Sequence, residues 1–383
     1  MKLSSKPFSL IVLQPTSFCN INCEYCYLEI GERTTKGIMP LYILDTIFMK
    51  IFSSDIKNKS EHTRVSWHSG EPLIAPKDFY KAANQIISTH KPDNVKVTQE
   101  IITNGILIDE GWCKIFKECD INVVVSIDGP QFLHNANRKY RNGKGTFNEV
   151  VTGIRLLQQH KVPHRILTTI TDLSLGHSKE LFNFYKELKV ENIGLNYEEV
   201  SAYNESSSID ENKLDKVKSF MNELYQLSEK DDSLQIREFE VMKNYLQFGD
   251  LYEFEYDTIT PLSNISFDRD GNYSTFAAEL LGMKHSKYEN FIFGNILENE
   301  FKEIFENLKF NEIYSEIMDG VQSCHQSCDY FDICGSAKPD AKLTANNSLP
   351  SEGRFNTTES LYCIINTKTL AEVVMSNMKE TLI

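Results

Sequence analysis

Three cysteines lie within eight residues near the start of the chain, in the stretch QPTSFCNINCEYCYLEIG at residues 14–31. Cys19, Cys23 and Cys26 have the spacing Cys-x3-Cys-x2-Cys, which puts three soft thiolate ligands on one loop. A tetrahedral zinc site would need a fourth ligand, for which His68 is a candidate. A cubane 4Fe-4S cluster held by three thiolates has one iron without a protein ligand, and that iron can bind a small molecule.

A second group of cysteines lies near the C-terminus. Cys324, Cys328 and Cys334 are close together and Cys363 follows at a distance. Four thiolates satisfy all four irons of a further cluster. A structural four-cysteine zinc site is the alternative, although the spacing lacks the paired Cys-x2-Cys knuckles that zinc prefers.

The composition is that of a globular protein of 383 residues, with 41% hydrophobic and 25% charged residues. This length suits one large α/β domain and a smaller one. The formal net charge of -14 argues against a nucleic-acid groove and suits a basic peptide partner better. Nine cysteines in a long chain do not indicate a disulfide framework. The apolar run from Phe8 to Leu13 is too short for a signal sequence or membrane span, so we predict a cytoplasmic protein with no membrane partner.

Short apolar runs alternate with amphipathic stretches from Ser9 to about Val200. The predicted strands are residues 9–14, 63–68, 95–103, 121–127, 164–170 and 192–197, and the predicted helices are residues 41–52, 76–89, 109–117, 146–160 and 177–188. Strands joined by helical crossovers are parallel. The pattern predicts an α/β fold, a partial (β/α)6 TIM-like barrel whose chemistry lies at the C-terminal ends of the strands.

Two further segments follow the predicted barrel of residues 1–200. Residues 201–260 are polar and helical, and we predict a helical connector there. Residues 261–383 form a predicted second domain that begins with a hairpin, ISFDRDGNYSTF, with Asp270 and Gly271 at the turn.

The first cysteine loop, with Tyr25 inside its last gap, resembles the cluster loop of the radical S-adenosylmethionine (SAM) enzymes. Four further motifs follow successive strands in the order that this family shows. The resemblance implies that their cofactor-binding residues are Ser69, Gly70, Glu71 and Pro72 in WHSGEPL, Asn104 in TNG, Ser126 and Asp128 in SIDGP, and Arg138 in FLHNANRKYRNGKGTF.

In this resemblance the motif of Glu71 holds the amino group of SAM, although Ser69 replaces the first glycine of the family pattern. Ser126 and Asp128 approach the ribose, and Arg138 contacts the carboxylate of SAM. Each motif alone has a simpler explanation. Glu71 can open a helix, and Asn104, Ser126, Asp128 and Arg138 can belong to turns or to the surface.

The resemblance also implies the chemistry. SAM chelates the open iron, and an electron from the reduced cluster cleaves it to methionine and a 5'-deoxyadenosyl radical that abstracts hydrogen. The protein must position one C-H bond and exclude water. A reducing partner such as flavodoxin or ferredoxin is implied.

The second cysteine group resembles the SPASM-type auxiliary-cluster domain of peptide-modifying radical SAM enzymes. The complete domain holds two auxiliary clusters, whereas here Phe276 stands near one expected cysteine and Lys338 replaces another. We therefore predict a single auxiliary 4Fe-4S cluster, fully ligated by protein, beside the SAM-binding one.

The tail NNSLPSEGRFNTTESLYC resembles maturases of the glycine-rich-repeat and cyclophane-forming class. The matching residues are Asn347, Glu352, Gly353, Phe355, Thr358, Glu359, Tyr362 and Cys363. This resemblance implies a ribosomally made precursor peptide as substrate. A side-chain Cβ hydrogen is abstracted, and that carbon is joined to an aromatic ring two residues away.

Three alternatives stay open. An anaerobic sulfatase-maturating enzyme shares the barrel motifs but usually keeps both auxiliary clusters. A peptide epimerase needs a spare thiol, and Cys113 and Cys119 are the only ones, in a helical stretch where cysteine is usually a small buried residue. A peptide-binding iron-sulfur scaffold without catalysis is the third.

At the end of the sixth strand Glu198 or Glu199 can act as a base, with Glu198 as our candidate, or be a solvated charge.

Overall fold

A computed structural model describes residues 6–201, 203–248, 258–336 and 338–381. Six parallel strands pair in chain order and confirm the predicted barrel sheet, each within one residue of its predicted bounds. They are β1 (Leu10–Leu13), β2 (His62–Trp67), β3 (Lys96–Thr103), β4 (Ile121–Ser126), β5 (His164–Ile170) and β6 (Asn192–Tyr197).

The five predicted crossover helices are also present, and two short helices join them. The helices of this half are α1 (Ile30–Thr34), α2 (Leu41–Ser53), α3 (Lys77–His90), α4 (Glu110–Glu118), α5 (Gln131–Asn137), α6 (Phe147–Gln159) and α7 (Ser178–Glu187). Each long helix is amphipathic and buries one face. Helix α2, for example, buries Ile43, Leu44, Ile47, Phe48 and Ile51.

The sheet is wider than predicted, because four more strands extend it to ten. Strand β7 (Gln235–Ile236) pairs with β6, and β8 (Asn264–Phe267) pairs in parallel with β1. Strand β9 (Asn272–Thr275) pairs antiparallel with β8, and β12 (Gly294–Asn295) with β9. Strands of two residues have no detectable sequence period, which is why β7 and β12 were not predicted. Strands β10 (Lys284–His285) and β11 (Glu289–Asn290) form a separate pair.

The predicted hairpin is confirmed by β8 and β9. Gly271 at its turn has a φ of +86°, a conformation that favours glycine. Because β8 lies beside β1, the second half of the chain continues the sheet directly next to the strand that carries the first cysteine loop.

The rest of the chain is mainly helical. It contains α8 (Leu214–Lys230), α9 (Arg237–Phe248), α10 (Leu308–Ser327), α11 (Phe331–Cys334), α12 (Leu361–Cys363), a π-helical turn (Ile364–Thr369) and α13 (Leu370–Thr381). Residues 249–257, at the end of the predicted connector, lie outside the described residues. Helix α13 packs on α8 and α9, where the Asn377 amide donates to Asn222 at 2.7 Å.

Among the described helices, none has both the length and the apolar composition needed to cross a bilayer. The boundaries near residues 200 and 260 stay a prediction.

Gly353 provides a test of this packing. A Cβ at this position would lie 1.8 Å from the Leu343 carbonyl oxygen, between the cysteines of the C-terminal group. Backbone cannot move aside as a flexible side chain can, so we expect Gly353→Ala to lower the free energy of unfolding by about 2 kcal/mol. Anaerobic thermal unfolding measures this. The control is Gly176→Ala, where no atom lies within 4 Å, and equal melting temperatures for the two variants would contradict the packing.

Candidate active site

The first cysteine loop follows β1 and is held in place by its backbone. Asn22 N donates to Lys139 O at 2.7 Å and Glu24 N to Asn137 O at 3.1 Å. The Arg141 guanidinium donates to the Cys19 carbonyl oxygen at 2.9 Å. All three cysteines of the loop are free thiols. The loop is therefore fixed by the segment after α5 rather than by a disulfide.

The motif after β2 packs directly on this loop. Ser69 and Gly70 have φ angles of +78° and +54°. A Cβ on Gly70 would lie 2.6 Å from the Ser17 backbone and 2.7 Å from the Phe18 oxygen. The next residue, Glu71, donates its N-H to the Phe18 oxygen at 2.9 Å. Position 70 therefore requires glycine, both for its backbone angle and for its close approach.

The Glu71 carboxylate is fully buried and accepts three hydrogen bonds. Its Oε1 accepts from Leu73 N at 2.9 Å and from the Thr103 hydroxyl at 2.7 Å, and Oε2 accepts from Asn104 N at 2.8 Å. Glu71 thus caps the short 3-10 turn Pro72–Ile74, as its simpler explanation predicts. Burial nevertheless raises the pKa of this carboxyl to about 7, against those three hydrogen bonds. A buried carboxylate of this kind gains from a bound cation, such as an amino group.

The motif after β3 brings an amide to the cluster loop. Asn104 Nδ2 lies 3.9 Å from Cys19 Sγ and donates to Asn20 Oδ1 at 2.7 Å. Its own Oδ1 accepts from Ile106 N at 3.1 Å. The predicted residue Asn104 is therefore next to the predicted cluster ligand Cys19.

The motifs after β4 meet the same loop from the other side. Asp128 is 1% exposed and accepts from the Tyr25 hydroxyl, from Arg138 Nε at 3.0 Å and from Thr169 N at 3.0 Å. Another nitrogen of Arg138 lies 3.9 Å from Cys23 Sγ. Both Asp128 oxygens are occupied by protein, so in this structure the carboxylate orients Tyr25 and Arg138. Its predicted contact with the ribose stays a prediction.

Three further residues beside these motifs are buried or lie against a neighbouring ring. Ser126 is buried at the end of β4. His134 is fully buried between Asp128 N and the Thr146 hydroxyl, and burial lowers its pKa to about 4, so it is a neutral structural residue. His68 lies with its ring 6.2 Å from that of Tyr27, and burial lowers its pKa.

We call the first cysteine loop and the motifs after β2, β3 and β4 the barrel mouth. The residues of the barrel mouth fit an iron-sulfur cluster that binds a polar ligand. Burial raises the pKa of Cys23 to about 12, with Arg138 opposing, and also raises that of Cys19. Buried thiols of this kind ionise when a metal shares the site. The Gln14 side-chain nitrogen and the Ser17 hydroxyl are buried there without a hydrogen-bond partner among the described residues, as a site for a polar ligand requires.

A charged cluster lies where the end of β6 meets the C-terminal domain. It consists of Glu199, Lys338 and Asp340, and we call it the charged cluster. Lys338 Nζ lies 3.2 Å from Glu199 Oε1 and 3.9 Å from Asp340 Oδ2, and it stands 4.0 Å from the centre of the Tyr362 ring. The side chains of Glu199 and Lys338 are 29% and 28% exposed, whereas that of Asp340 is 8% exposed.

Asp340 is the unusual member of the charged cluster. Its Oδ1 is buried without a hydrogen-bond partner. Burial raises its pKa to about 7, although the Lys338 ammonium opposes the shift. Glu279 acts electrostatically on all three members of the cluster, and also on Tyr27 and His68 beside the SAM motifs. The charged cluster and the SAM motifs therefore belong to one region.

Glu198 and Glu199, which the sequence alone could not distinguish, have different partners in the structure. Glu198 Oε2 accepts from the Ser208 backbone N-H at 3.0 Å and from the Ser208 hydroxyl. Its neighbour Glu199 makes the ion pair with Lys338. The candidate base Glu198 is therefore hydrogen-bonded to Ser208 and Glu199 belongs to the charged cluster, so a role of Glu198 as a base stays a prediction. Nothing in the sequence indicated Asp340, because only the tertiary fold brings it to β6.

The second cysteine group also comes together. Cys324 lies in the last turn of α10 and Cys328 follows its last residue, whereas Cys334 ends α11 and Cys363 ends α12. Burial raises the pKa of Cys363 to about 12, followed by the effects of Cys334 and Cys328. Lys342 Nζ donates to Cys324 Sγ at 3.5 Å. Cys334 is influenced by Cys328 and Cys324, and Cys363 by Cys334 and Cys328, so neighbouring thiols with an ammonium beside them could hold an anionic cluster.

At the two positions where the SPASM pattern has cysteine, this chain has Phe276 and Lys338, which make other contacts. Phe276 is fully buried and stacks on Phe310 and Tyr314, with ring centres 5.8 and 6.0 Å away. Lys338 belongs to the charged cluster. Cys113 and Cys119 are buried in the barrel core. In the described part of the chain no group of three His, Cys, Asp or Glu could hold a single metal ion.

Comparisons with known proteins agree with this site. The model of the Radical SAM superfamily matches residues 13–188. An uncharacterized protein of Synechocystis sp. is 36% identical over 382 residues, 98% of this chain and 93% of the relative. The cysteine-type anaerobic sulfatase-maturating enzyme of Clostridium perfringens is 26% identical over 370 residues, 91% of this chain and 95% of that enzyme.

Solved structures share the fold. One of anSMEcpe with bound AdoMet and the Cp18Cys peptide has a TM-score of 0.76 and 22% identity, covering 97% of this chain and 98% of that one. Streptococcus suis SuiB bound to precursor peptide SuiA has a TM-score of 0.61 and 16% identity, covering 91% and 75%.

The fold and the site define an enzyme that cleaves SAM at an iron-sulfur cluster. The chain belongs to the radical SAM superfamily. It is a radical SAM enzyme, and its cofactors are SAM and 4Fe-4S clusters.

The raised pKa of Glu71 makes a prediction for SAM binding. Below pH 7 the carboxyl is protonated and loses its attraction for the SAM amino group. The apparent Kd for SAM should therefore rise about tenfold for each unit by which the pH falls below 7. Glu71→Gln should bind SAM weakly and without this dependence. Equilibrium dialysis of SAM from pH 6 to 8.5 measures both. The exposed Glu110→Gln is the control, and a wild-type Kd that does not change with pH would contradict the role of Glu71.

Proposed function

We propose that this enzyme modifies a ribosomally made precursor peptide, by abstracting a side-chain Cβ hydrogen and joining that carbon to an aromatic ring of the same peptide. The observation that carries the proposal is the contrast between two cysteine sets. Three thiols lie at the barrel mouth and four lie in the C-terminal domain, where Phe276 and Lys338 occupy the positions of further cysteines. One closed auxiliary cluster, ligated by Cys324, Cys328, Cys334 and Cys363, suits this class.

Several findings support a peptide substrate. Two solved structures of the same fold hold peptides, Cp18Cys in one and SuiA in the other. In the tail whose sequence resembles peptide maturases, Gly353 packs against the Leu343 backbone, and Cys363 is influenced by Cys334 and Cys328. The net charge of -14 suits a basic peptide.

A cluster with SAM held by Cys19, Cys23 and Cys26 would supply a hydrogen-abstracting radical, and a cluster held by the auxiliary set would supply an acceptor for one electron. The protein holds and shields the reacting groups. Glu71 and Arg138 present a carboxylate and a guanidinium, which suit the amino and carboxylate groups of SAM. Asp128 keeps Tyr25 and Arg138 in place through buried hydrogen bonds.

Crosslinking removes two hydrogens from the peptide, one as a hydrogen atom taken by the radical and one as a proton, and one electron also leaves the peptide to the auxiliary acceptor. A protein group must therefore accept a proton. Asp340 suits this role because one of its oxygens lacks a partner and its pKa lies near 7. Lys338 lies 3.9 Å from Asp340 and is itself paired with Glu199, so an ammonium stands beside this carboxylate.

Co-expression with small neighbouring reading frames tests the proposal. A crosslinked peptide should weigh two hydrogens less than its precursor, and tandem mass spectrometry should show no cleavage between the joined residues. Enzyme with Cys19, Cys23 and Cys26 changed to alanine is the control. If the reduced enzyme makes deoxyadenosine from SAM and every candidate peptide keeps its mass, the proposal is wrong.

Formylglycine formation is the second candidate, because the sulfatase-maturating enzyme of Clostridium perfringens aligns over 91% of this chain. Oxidation of serine also removes two hydrogens, so mass alone does not separate the two products. An aldehyde reacts with a hydrazide probe and a crosslinked ring does not. A hydrazide-reactive product would favour this candidate over the crosslink.

The charged cluster gives a separate prediction for the modified peptide. Asp340→Asn should still form deoxyadenosine, while product per deoxyadenosine falls at least about tenfold, since a general base contributes that much or more. In the wild type this ratio should rise with pH through about 7, as Asp340 ionises, and the variant should lose that dependence. The exposed Asp319→Asn is the control. Equal ratios in the two variants would contradict the role of Asp340.

A further inference from the structure

Lys342 is a buried lysine beside the second cysteine group. The residue is only 6% exposed. Its Nζ donates to Cys324 Sγ at 3.5 Å. Apart from burial, the groups that act on it most strongly are the thiols of Cys324, Cys334 and Cys363. The Lys342 side chain thus contacts one of the four thiols proposed to hold the auxiliary cluster and is influenced by two others.

The packing around Lys342 keeps this ammonium in position. Its carbonyl oxygen accepts from the Thr357 hydroxyl at 2.9 Å. A Cβ on Gly320 of α10 would lie 2.8 Å from Lys342 Nζ and 2.3 Å from the Phe355 oxygen. Gly320 therefore leaves the space through which the lysine reaches the cysteines.

An ammonium in such a place is costly unless a negative charge accompanies it. Within the described residues Lys342 pairs with no carboxylate, and its Nζ donates to the sulfur of Cys324. Burial lowers the pKa of Lys342, and the neighbouring thiols oppose that shift. Lys368 differs, although it too lies near the group, because it pairs with Glu359 at 2.8 Å and its side chain is 27% exposed. Lys342 is therefore the lysine whose charge is directed at the cluster position.

We propose that Lys342 is a positioning residue that raises the reduction potential of the auxiliary cluster, through its charge and its hydrogen bond to Cys324. A cluster gains one negative charge when it takes up an electron, and a nearby cation with a hydrogen bond to a ligand sulfur stabilises that reduced form. The proposal rests on the proposed function, in which this cluster accepts the electron that leaves the peptide.

The test isolates the auxiliary cluster. Full-length enzyme with Cys19, Cys23 and Cys26 changed to alanine is reconstituted anaerobically and titrated by EPR. Adding Lys342→Met should make reduction at least tenfold less favourable, a shift of about 59 mV to more negative potential for one electron. The variant Lys342→Arg keeps the positive charge, so most of this shift should be absent and the potential should stay close to the value with Lys342.

Lys368→Met is the matched control, and it should change the potential much less. If Lys342→Met and Lys368→Met give the same potential, the proposal is wrong. Failure of the four-cysteine site to take up iron would overturn the auxiliary cluster and this proposal with it, whereas an unchanged potential would overturn only the role of Lys342.

A second measurement needs no variant. Wild-type holoenzyme carrying 15N at its lysine side chains is reduced and its cluster signals are recorded by pulsed EPR. We expect a 15N coupling from the ammonium at the auxiliary cluster. Its absence would overturn the proposal, even if Lys342→Met failed to hold its cluster.

Discussion

The close approach of Gly70 to the backbone of Ser17 and Phe18 is the contact on which the rest of the mouth depends. Because position 70 has no side chain, the end of β2 lies against the loop that carries the first cysteines. The same approach lets Glu71 donate its N-H to Phe18 and present its carboxylate to Thr103 and Asn104. Any larger residue at position 70 would separate the ends of three strands.

The two cysteine sets differ in the charges around them, as well as in number. At the mouth, Arg138 lies near Cys23 and is shared with Asp128, so its charge is partly met by protein. In the C-terminal part of the chain, Lys342 donates to Cys324 and pairs with no carboxylate among the described residues. Beside the three-cysteine set, Glu71 and Arg138 suit a ligand that carries both an amino and a carboxylate group. Beside the four-cysteine set, Lys342 suits a cluster with a more negative charge. Lys338 of the charged cluster occupies a position where a further cysteine was expected.

Much of the barrel could be predicted from the sequence, because its strands and helices have clear periods and each catalytic motif follows a strand. The contacts that unite Cys19 with Asn104, and Tyr25 with Asp128, follow from that order. Asp340 and Lys342 could not be predicted, since their roles depend on where a long irregular segment returns to β6 and to α10. Glu198 and Glu199 show the same limit, because adjacent residues at a strand end point to different partners.

The central claim is that three cysteines hold an open cluster for SAM while four hold a closed one. Mössbauer spectroscopy of 57Fe-loaded enzyme, with and without SAM, tests it most directly. We expect about eight irons per chain, and a change at one iron site when SAM is added. Removing Cys19, Cys23 and Cys26 should leave about four irons and no change with SAM. A response to SAM that survives their removal, or a chain that holds only one cluster, would contradict this account.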